Sequence, residues 1–289
     1  MAINSDSPNR KKVTLAFNLQ NILWIKKARS NHMSSGMYTS LSGITASLNQ
    51  LDAMGNNLAN ASTVGYKQDV IAFSPFNQSM ADAMKKSSGM VNMNDPRMKS
   101  NSYVMGVKNG VNFAQGNLEK TNNPMSLAIE GDGFFSFEGK DGETLYSRDG
   151  NIVINSDGLL ASKHGHPLRA EGGGTIEVGI DSPFDVNAEG VVFAKGKQVG
   201  KIGIEKFQAL AGLEKVSGNY FKTKVDGIQS EPATNFNVWQ GYTEKSNVNA
   251  VTSMIELIKV QRTVEILQKS ISTQNDMDKN AMRDVGSIR

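Results

Sequence analysis

Two segments at opposite ends of the chain each carry an apolar stripe with the spacing of a helix. In the segment from Met37 to Lys67, the stripe consists of Leu41, Ile44, Leu48, Leu51 and Leu58. In the segment that follows Ser246-Asn247-Val248-Asn249, it consists of Val251, Ile255, Ile258, Val264, Leu267 and Ile271. Apolar residues that alternate three and four positions apart form a narrow stripe, which a helix buries only against a partner helix. The chain is therefore predicted to end in helices that assemble with other helices.

The long segment between these helices carries the signals of β-strands. Apolar and polar residues alternate over Tyr103–Val111, and again at Ile176, Val178 and Ile180. Acidic residues followed by glycine favour the positive φ angles of hairpin turns, and they occur at Asp141-Gly142, Asp149-Gly150, Asp157-Gly158 and Glu189-Gly190. The predicted fold class is α+β, with amino- and carboxy-terminal helices forming a coiled-coil-like core and a central, mostly antiparallel β domain.

The predicted organisation has five segments. They are a leader over 1–36, an amino-terminal assembly helix and motif over 37–67, an irregular connector over 68–120, a β domain over 121–240 and a carboxy-terminal assembly helix over 241–289. The leader has a basic cluster before an apolar stretch, but polar residues interrupt that stretch and no small-residue cleavage site follows it. We therefore expect the leader to be a disordered or misassigned extension, with Met33 or Met37 as the true start.

Composition excludes several classes of function. The 289 residues include no Cys, so disulfides, thiolate zinc sites and Cys nucleophiles are absent. Six of the 31 basic residues and one of the 28 acidic residues precede Met33, and the remaining 25 basic and 27 acidic residues nearly balance. That balance gives no case for nucleic-acid binding. No apolar run approaches the roughly 20 residues that cross a bilayer.

Motifs that resemble catalytic or metal sites are incomplete. His164-Gly165-His166 offers two imidazoles, which are too few for a metal site, and it is predicted to be a hairpin loop. Gly172-Gly173-Gly174 lacks the Lys-Ser/Thr of a phosphate loop. The carboxylates that are candidates by residue type alone are Glu130, Asp132, Glu143 and Asp149. Since nothing marks a pair among them, we predict no catalytic, cofactor-binding or metal-binding residue, and no enzyme activity.

Polar residues within the helices have two interpretations each. Arg262 and Glu265 form either a surface ion pair or a buried registry device between subunits, and the apolar surroundings favour the second. Asn56, Asn57 and Asn60 either cap the end of their helix or bind the backbone of neighbouring helices. The apolar face of the carboxy-terminal helix is also wider than a single stripe, so we expect it to contact more than one helix.

Three ordered groups of motifs resemble those of a known family. Gln50-Leu51-Asp52 and the run from Asn56 to Lys67 resemble the amino-terminal signature of bacterial flagellar rod and hook proteins. Ser246-Asn247-Val248-Asn249, with Met254-Ile255 and Gln261-Arg262, resembles their carboxy-terminal signature. The segment from Thr121 through Gly131-Asp132-Gly133-Phe134-Phe135 to Tyr146-Ser147-Arg148-Asp149-Gly150 is similar to the entry of their β domain. One departure is Thr263-Val264-Glu265, where the family has an aromatic residue before Glu.

The resemblance implies a structural subunit of the flagellar basal-body rod. Such a subunit polymerises through its terminal helices, transmits torque across the periplasm and is exported unfolded by the flagellar type III apparatus without signal cleavage. The implied partners are other copies and other rod subunits, with no nucleic acid, small-molecule substrate or cofactor. The motifs favour the proximal rod subunit, and the alternative is a distal rod or hook-type subunit. Rivals outside the family are an envelope enzyme acting on peptidoglycan and a β binding module with a helical dimerisation stalk.

The predicted assembly interface combines the apolar stripes with the signature residues beside them. Its members are Leu41, Ile44, Leu48, Leu51, Asn56, Asn57, Leu58, Asn60, Gly65, Tyr66, Ser246, Asn247, Val248, Val251, Ile255, Ile258, Gln261, Arg262 and Glu265.

Overall fold

The computed structural model describes residues 37, 39–75, 104–140, 142–180, 182–216, 219–224 and 230–286. The predictions for the leader over 1–36 lie outside these residues. The chain divides into two compact units. Unit 1 comprises Met1–Leu51, Ala72–Lys108 and Ile258–Arg289, and unit 2 comprises Asp52–Ile71 and Asn109–Leu257.

Helices form both ends of the described chain, and strands lie between them. Helix α1 covers 39–59 and helix α2 covers Ala250–Gly286. The strands are β1 Gln68–Pro75, β2 Val104–Asn112, β3 Leu118–Lys120, β4 Leu127–Gly131, β5 Phe134–Glu138, β6 Thr144–Ser147, β7 Ile152–Ile154, β8 Leu160–Ser162, β9 Phe184–Val186, β10 Val191–Ala194, β11 Lys197–Lys201, β12 Ile204–Phe207, β13 Leu213–Lys215, β14 Phe221–Thr223, β15 Ser230–Pro232, β16 Phe236–Gln240 and β17 Tyr242–Glu244. The α+β class is thereby confirmed.

Asparagine side chains define the helix ends that face the strands. Asn60 donates its side-chain amide to the carbonyl of Asn56 over 2.9 Å and so satisfies an acceptor at the end of α1. Asn249 precedes α2, and its side-chain oxygen accepts the amide of Thr252 at 3.1 Å, which is the geometry of an N-cap. Asn60 therefore follows the capping interpretation of the amino-terminal Asn cluster.

In unit 1, the two helices contact each other through small side chains. Gly43 of α1 lies against Leu267 of α2, since a Cβ atom at Gly43 would be 3.3 Å from Leu267 Cδ1. Ala46, Val260 and Val264 are buried as well. Gly43 and Ala46 allow the close approach because they have little or no side chain.

Many of the apolar residues predicted to form a single stripe instead face outward. Leu41 and Leu48 are 52% and 46% exposed. Four residues of α2, which we call its outer face, are each at least half exposed: Val251, Met254, Ile255 and Ile258. The predicted stripe of α2 thus divides into two faces, because Ile258 lies roughly 180° around the helix from Leu267. The apolar surface of α2 is therefore wider than a single stripe, and its burial against other helices stays a prediction.

Unit 2 contains a β body in which the paired strands run antiparallel. Its largest sheet has the order β13-β14-β6-β5-β12-β15, and a three-stranded sheet has the order β11-β10-β9. Strand pairs β16-β4, β17-β3 and β7-β8 complete it. The main core includes Leu127, Ile129, Phe135 and Leu168, all fully buried. A second, aromatic cluster contains Phe134, Tyr146, Phe207 and Phe221. The antiparallel prediction is confirmed.

Glycine explains where the strand and turn predictions succeed and fail. Gly158 and Gly190 have φ angles of 76° and 80° in the β7–β8 and β9–β10 connections, as predicted for Asp157-Gly158 and Glu189-Gly190. Gly150 has no positive φ, and its α-carbon instead packs against the carbonyl of Leu127 and the ring of Phe135. Gly150 is therefore a site of close packing, and the prediction of a hairpin turn at Asp149-Gly150 is wrong.

Two segments differ from the strand predictions. Ile176 and Val178 are buried, but Ile180 is 67% exposed, and the three residues form no strand beyond an isolated bridge at Glu177. Gly174 and Gly179, both with positive φ, interrupt the extended backbone there. Conversely, β1 lies in the segment predicted to be an irregular connector. The predicted strand over Tyr103–Val111 corresponds to β2.

Among the residues that the structure describes, no helix combines the length and the apolar character that a membrane crossing requires.

Candidate functional site

Five distant parts of the chain meet in unit 2 around one buried carboxylate. We call this cluster the junction, and it consists of Asn57, Tyr66, Lys67, Asp69, Ala114, Gly116, Arg148, Lys215, Glu244 and Asn247. The segment 57–69 runs from the last turn of α1 into β1, and Asn247 lies just before α2 begins. The junction thus attaches both ends of the chain to the β body.

Glu244 stands at the centre of the junction, with a side chain that is fully buried. Its Oε1 accepts hydrogen bonds from Lys67 Nζ at 2.6 Å and from the amide of Gly116 at 2.9 Å. Its Oε2 accepts one from Arg148 Nη1 at 3.2 Å. Its backbone carbonyl accepts the amide of Gly65 at 2.8 Å. One residue at the end of β17 therefore binds the amino-terminal motif, the segment after β2 and the segment after β6.

Two cations share this single carboxylate. Burial lowers the pKa of Lys67, the Glu244 carboxylate opposes that shift, and nearby Arg148 adds to it. Lys67 Nζ has a second acceptor in the carbonyl of Ala114 at 2.8 Å. Arg148 also donates to the carbonyl of Gly131 at 2.8 Å. Charges of this kind are tolerated in an interior only when they are paired and hydrogen-bonded, so the network depends on Glu244.

A second set of contacts fixes the loop between α1 and β1. Asn57 Oδ1 accepts the amide of Asp69 at 2.8 Å, and Asn57 Nδ2 donates to the Asp69 carbonyl at 2.8 Å. The Tyr66 hydroxyl donates to Asn57 and to Asp69. Burial raises the pKa of Tyr66, and the Asp69 carboxylate raises it further. Lys215 of β13 binds Asp69 at 2.9 Å and lies 3.8 Å from the centre of the Tyr66 ring.

Asn247 joins the same elements through their backbones. Its Oδ1 accepts the amide of Gln68 at 2.9 Å, and its Nδ2 donates to the carbonyls of Asn112 and Ala114 at 2.8 and 3.0 Å. Both N–H donors and the carbonyl oxygen of the side-chain amide are therefore used. Asn247 links the start of β1 to the end of β2 immediately before α2.

Glycines permit the close backbone approaches around the junction. Gly65 has a φ angle of 68°, and its α-carbon packs on the backbone between Arg148 and Asp149. Gly116 packs on the carbonyl of Lys245. A Cβ atom at either position would overlap with backbone atoms, which cannot move as a flexible side chain can.

The predicted interface residues fall into two groups. Asn57, Gly65, Tyr66 and Asn247 belong to the junction or contact it, and Ser246 binds the amide of Val248, which is buried. Asn57 binds the backbone of β1 rather than that of a neighbouring helix. Asn56 is exposed, and Ile44, Leu51 and Leu58 are half-buried. The remaining helix residues are exposed in the single chain, namely Leu41, Leu48, Val251, Ile255, Ile258, Gln261, Arg262 and Glu265.

The charged members of the junction were not predicted. Lys67, Asp69, Arg148, Lys215 and Glu244 carry no periodic signal, and charged residues are usually solvated. Their positions along the chain were the available signal, since Lys67 ends the amino-terminal motif and Glu244 lies two residues before the carboxy-terminal one.

Two of the four carboxylates considered for catalysis, and both histidines considered for a metal site, make contacts within the β body. Glu130 accepts a hydrogen bond from the indole of Trp239, and Asp149 accepts two from Asn151. Burial raises the pKa of Asp149. The rings of His164 and His166 pack edge-on against Tyr220. Within the described ranges, no three His, Asp or Glu side chains lie close enough to hold a metal ion.

The β body holds the segment after α1 beside the segment before α2, and large apolar side chains of both helices are exposed in the single chain. Comparisons with protein families show which kind of protein has these features. Residues 37–67 match the family described as flagella basal body rod protein. Residues 128–194 match the D1 domain of the flagellar hook protein FlgE/F/G, and residues 240–284 match the flagellar basal body rod FlgEFG protein C-terminal family.

Whole-chain comparisons agree with these matches. The flagellar basal-body rod protein FlgF of Caulobacter vibrioides is 30% identical over 257 residues, which cover 89% of this chain and 100% of that protein. The flagellar basal-body rod protein FlgG of Buchnera aphidicola is 31% identical, covering 85% and 97%. FlgG of Bacillus subtilis is 29% identical over 260 residues, with the same coverage.

The chain belongs to the flagellar basal-body rod protein family. Members of this family are structural proteins of the rod, which implies assembly with other rod components in the flagellar basal body and a role that is not enzymatic.

The junction makes Asn57 a test of how the amino-terminal motif is held. Replacing it as Asn57→Ala removes three hydrogen bonds and leaves the amide and carbonyl of Asp69 without their partner. We expect the free energy of unfolding of the full chain to fall by about 2–4 kcal/mol. Asn56→Ala is the matched control at an exposed neighbouring position, and it should change stability by less than about 0.5 kcal/mol. Urea unfolding followed by circular dichroism measures both, and equal midpoints for the two variants would refute the assignment.

Proposed function

We propose that this subunit polymerises through α1 and α2, and that the resulting rod transmits torque across the periplasm. The observation that carries the proposal is the outer face of α2, where four large apolar side chains remain exposed in the single chain. Contiguous exposed apolar surface marks an interaction site. Burying the exposed half of each side chain contributes about 1 kcal/mol, or about 4 kcal/mol for this face in every subunit contact.

The helix pair supports a coiled-coil-like core. Gly43 of α1 contacts Leu267 of α2, and the buried Val260 and Val264 lie on the same side of α2 as Leu267. The opposite face of α2 then remains available to a helix of another subunit. A helix with two apolar faces at roughly 180° satisfies one partner within its own chain and another outside it. The exposed Arg262 and Glu265 remain candidates for registry between subunits under this arrangement.

The junction suits the transmission of torque. A load applied to helices reaches the β body through the segments 57–69 and 244–249. Both segments are held by buried charge-assisted hydrogen bonds, which are stronger than neutral ones. Packed interiors have low compressibility and transmit strain. The proposed division of labour assigns assembly to 37–67 and 241–289, and a supporting role to the β domain over 121–240 and the connector over 68–120.

The remaining expectations concern export and position. We propose that the chain leaves the cytoplasm through the flagellar type III apparatus without a cleaved signal peptide, and that it joins other rod subunits in the periplasm. Asn60-Ala61-Ser62-Thr63 and Gly165-His166-Pro167 support a proximal rod subunit. Relatives named FlgF and FlgG have nearly equal identity to this chain, so that assignment rests on the motifs.

Electron microscopy of isolated basal bodies tests the proposal. A tagged copy should restore motility to a strain that lacks the gene, and gold label against the tag should mark the rod. In solution, the purified chain should remain monomeric. A closed dimer in solution, together with basal bodies that carry no label in motile cells, would favour a binding module with a helical stalk.

The leader gives a separate prediction. Because residues 1–36 have no counterpart in the motifs, a chain that begins at Met37 is expected to restore swimming to the level of the full-length chain. The diameter of swarms in soft agar measures this, with immunoblots to match protein levels. Restoration by the full-length chain alone would show that the leader has a function.

A further inference from the structure

We propose that Glu244 controls the docking of the amino-terminal motif, so that residues 57–69 attach to the β body only after β17 is in place. This is an order of folding within one chain, and it does not depend on polymerisation. Lys67 and Glu244 are separated by 177 positions in the sequence. The amino-terminal motif is therefore completed by one of the last residues before α2.

Three hydrogen bonds attach the amino-terminal motif to the segment just before α2. The amide of Gly65 donates to the Glu244 carbonyl, Lys67 donates to the Glu244 carboxylate, and the amide of Gln68 donates to Asn247. The hydrogen bonds that join Asn57, Tyr66 and Asp69 lie within the motif itself and do not attach it to the body. The segment from Glu244 to Asn247 thus supplies three of the polar attachments of the motif, and it includes the only carboxylate that pairs with Lys67 among the described residues. Lys215, Asn219 and the carbonyl of Ala114 supply the others.

The negative charge of Glu244 is what allows Lys67 to be buried beside Arg148. With the carboxylate present, the two buried cations share one anion. Without it, Lys67 would enter a site that already holds the Arg148 guanidinium, and the two like charges would repel in a region sheltered from water. Arg148 retains backbone acceptors at Ile129 and Gly131, whereas Lys67 retains only the carbonyl of Ala114. When the carboxylate is absent, we therefore expect Lys67 to move out of the buried site and the amino-terminal motif to detach from the β body with it.

For a chain whose amino terminus emerges first, the proposal therefore predicts an order of folding. The amino-terminal motif stays undocked while the carboxy-terminal segment is still missing. It docks on the β body when β17 pairs with β3. A subunit that is incomplete or only partly emerged would present an open amino-terminal segment. A complete subunit would hold residues 57–69 docked on the β body.

Hydrogen exchange of full-length variants tests the proposal. Glu244→Gln keeps the shape of the side chain but replaces one acceptor oxygen by an NH₂ donor, which then faces Arg148 or Lys67. We expect exchange in 57–69 to accelerate by more than about tenfold, while 127–138 in the β body remains protected. Lys67→Met leaves Glu244 paired with Arg148 and Gly116, so exchange in 57–69 should change by less than about threefold.

The double variant Lys67→Met/Glu244→Gln decides whether the charge of Lys67 is the cause. It should return most of the protection that Glu244→Gln removes, because no uncompensated ammonium remains. Protection of 57–69 in Glu244→Gln would overturn the proposal. If Glu244→Gln instead unfolds the whole body, recovery by the double variant supports the proposal, and failure to recover overturns it.

Discussion

A chain that carries Ile258→Asp is expected to fold normally and to be absent from assembled rods. Ile258 is half exposed on the outer face of α2, so a carboxylate there remains solvated in the free subunit. Once another helix covers that face, the same carboxylate loses its water without gaining a partner, at a cost of several kcal/mol. Since each subunit repeats the contact, we expect loss of motility and no detectable variant in purified basal bodies.

Thr263→Asp is the matched control for this prediction. Thr263 is also exposed on α2 but lies roughly 140° around the helix from Ile258. Aspartate at position 263 therefore adds the same charged side chain, with the same helix propensity, to a different face of α2. We expect near-normal incorporation of this variant. Immunoblots of basal bodies and thermal unfolding of the purified chains provide the two readouts. Rods that contain Ile258→Asp at normal levels would show that the outer face is not an interface.

The second large effect is expected from Gly150→Ala in the β body. The added methyl group would overlap with the carbonyl of Leu127 and contact the Phe135 ring, and both residues are completely buried. The amide of Leu127 also donates to the carbonyl of Gly150 at 2.8 Å, so the two backbones cannot separate without losing that bond. Overpacking of this kind costs about 3 kcal/mol or more.

A control for Gly150→Ala exists in α1. Gly55 has no atom within 4 Å of a built Cβ, and its backbone has no positive φ. Gly55→Ala should therefore stabilise the chain by up to about 1 kcal/mol through helix propensity alone. Urea unfolding monitored by circular dichroism should give opposite shifts in midpoint for the two variants. A Gly150→Ala midpoint equal to that of the natural chain would contradict the packing at this position.

Local patterns were sufficient to predict the classes of structure. The spacing of Leu41 and Leu48 in α1, and of Ile255 and Ile258 in α2, depends only on residues within one helix, so both helices could be predicted from sequence. Turns at Gly158 and Gly190 followed from the conformational freedom of glycine. Ile176 and Val178 alternate with polar residues as in a strand, but the flanking glycines redirect the backbone. The sequence pattern alone does not show whether the alternation or the glycines determine the local structure.

Contacts between distant residues could not be predicted in the same way. The contact of Gly43 with Leu267 depends on the absence of a side chain, which leaves no apolar signal in the sequence. The pairing of Lys67 with Glu244 joins two charged residues that each look like ordinary surface positions. Only the folded β body brings them together and removes water, and that step depends on the pairing of β17 with β3.

Photocrosslinking in intact basal bodies tests the central claim most directly. A benzophenone amino acid would replace Ile258 in one strain and Thr263 in a second, each in the full-length chain. If the outer face of α2 binds another rod subunit, the probe at position 258 should give adducts to a second copy or to another rod protein in basal bodies, and none in the purified monomer. The probe at position 263 should give far fewer. Equal crosslinking at the two positions, or none at position 258 in functional rods, would contradict assembly through this face.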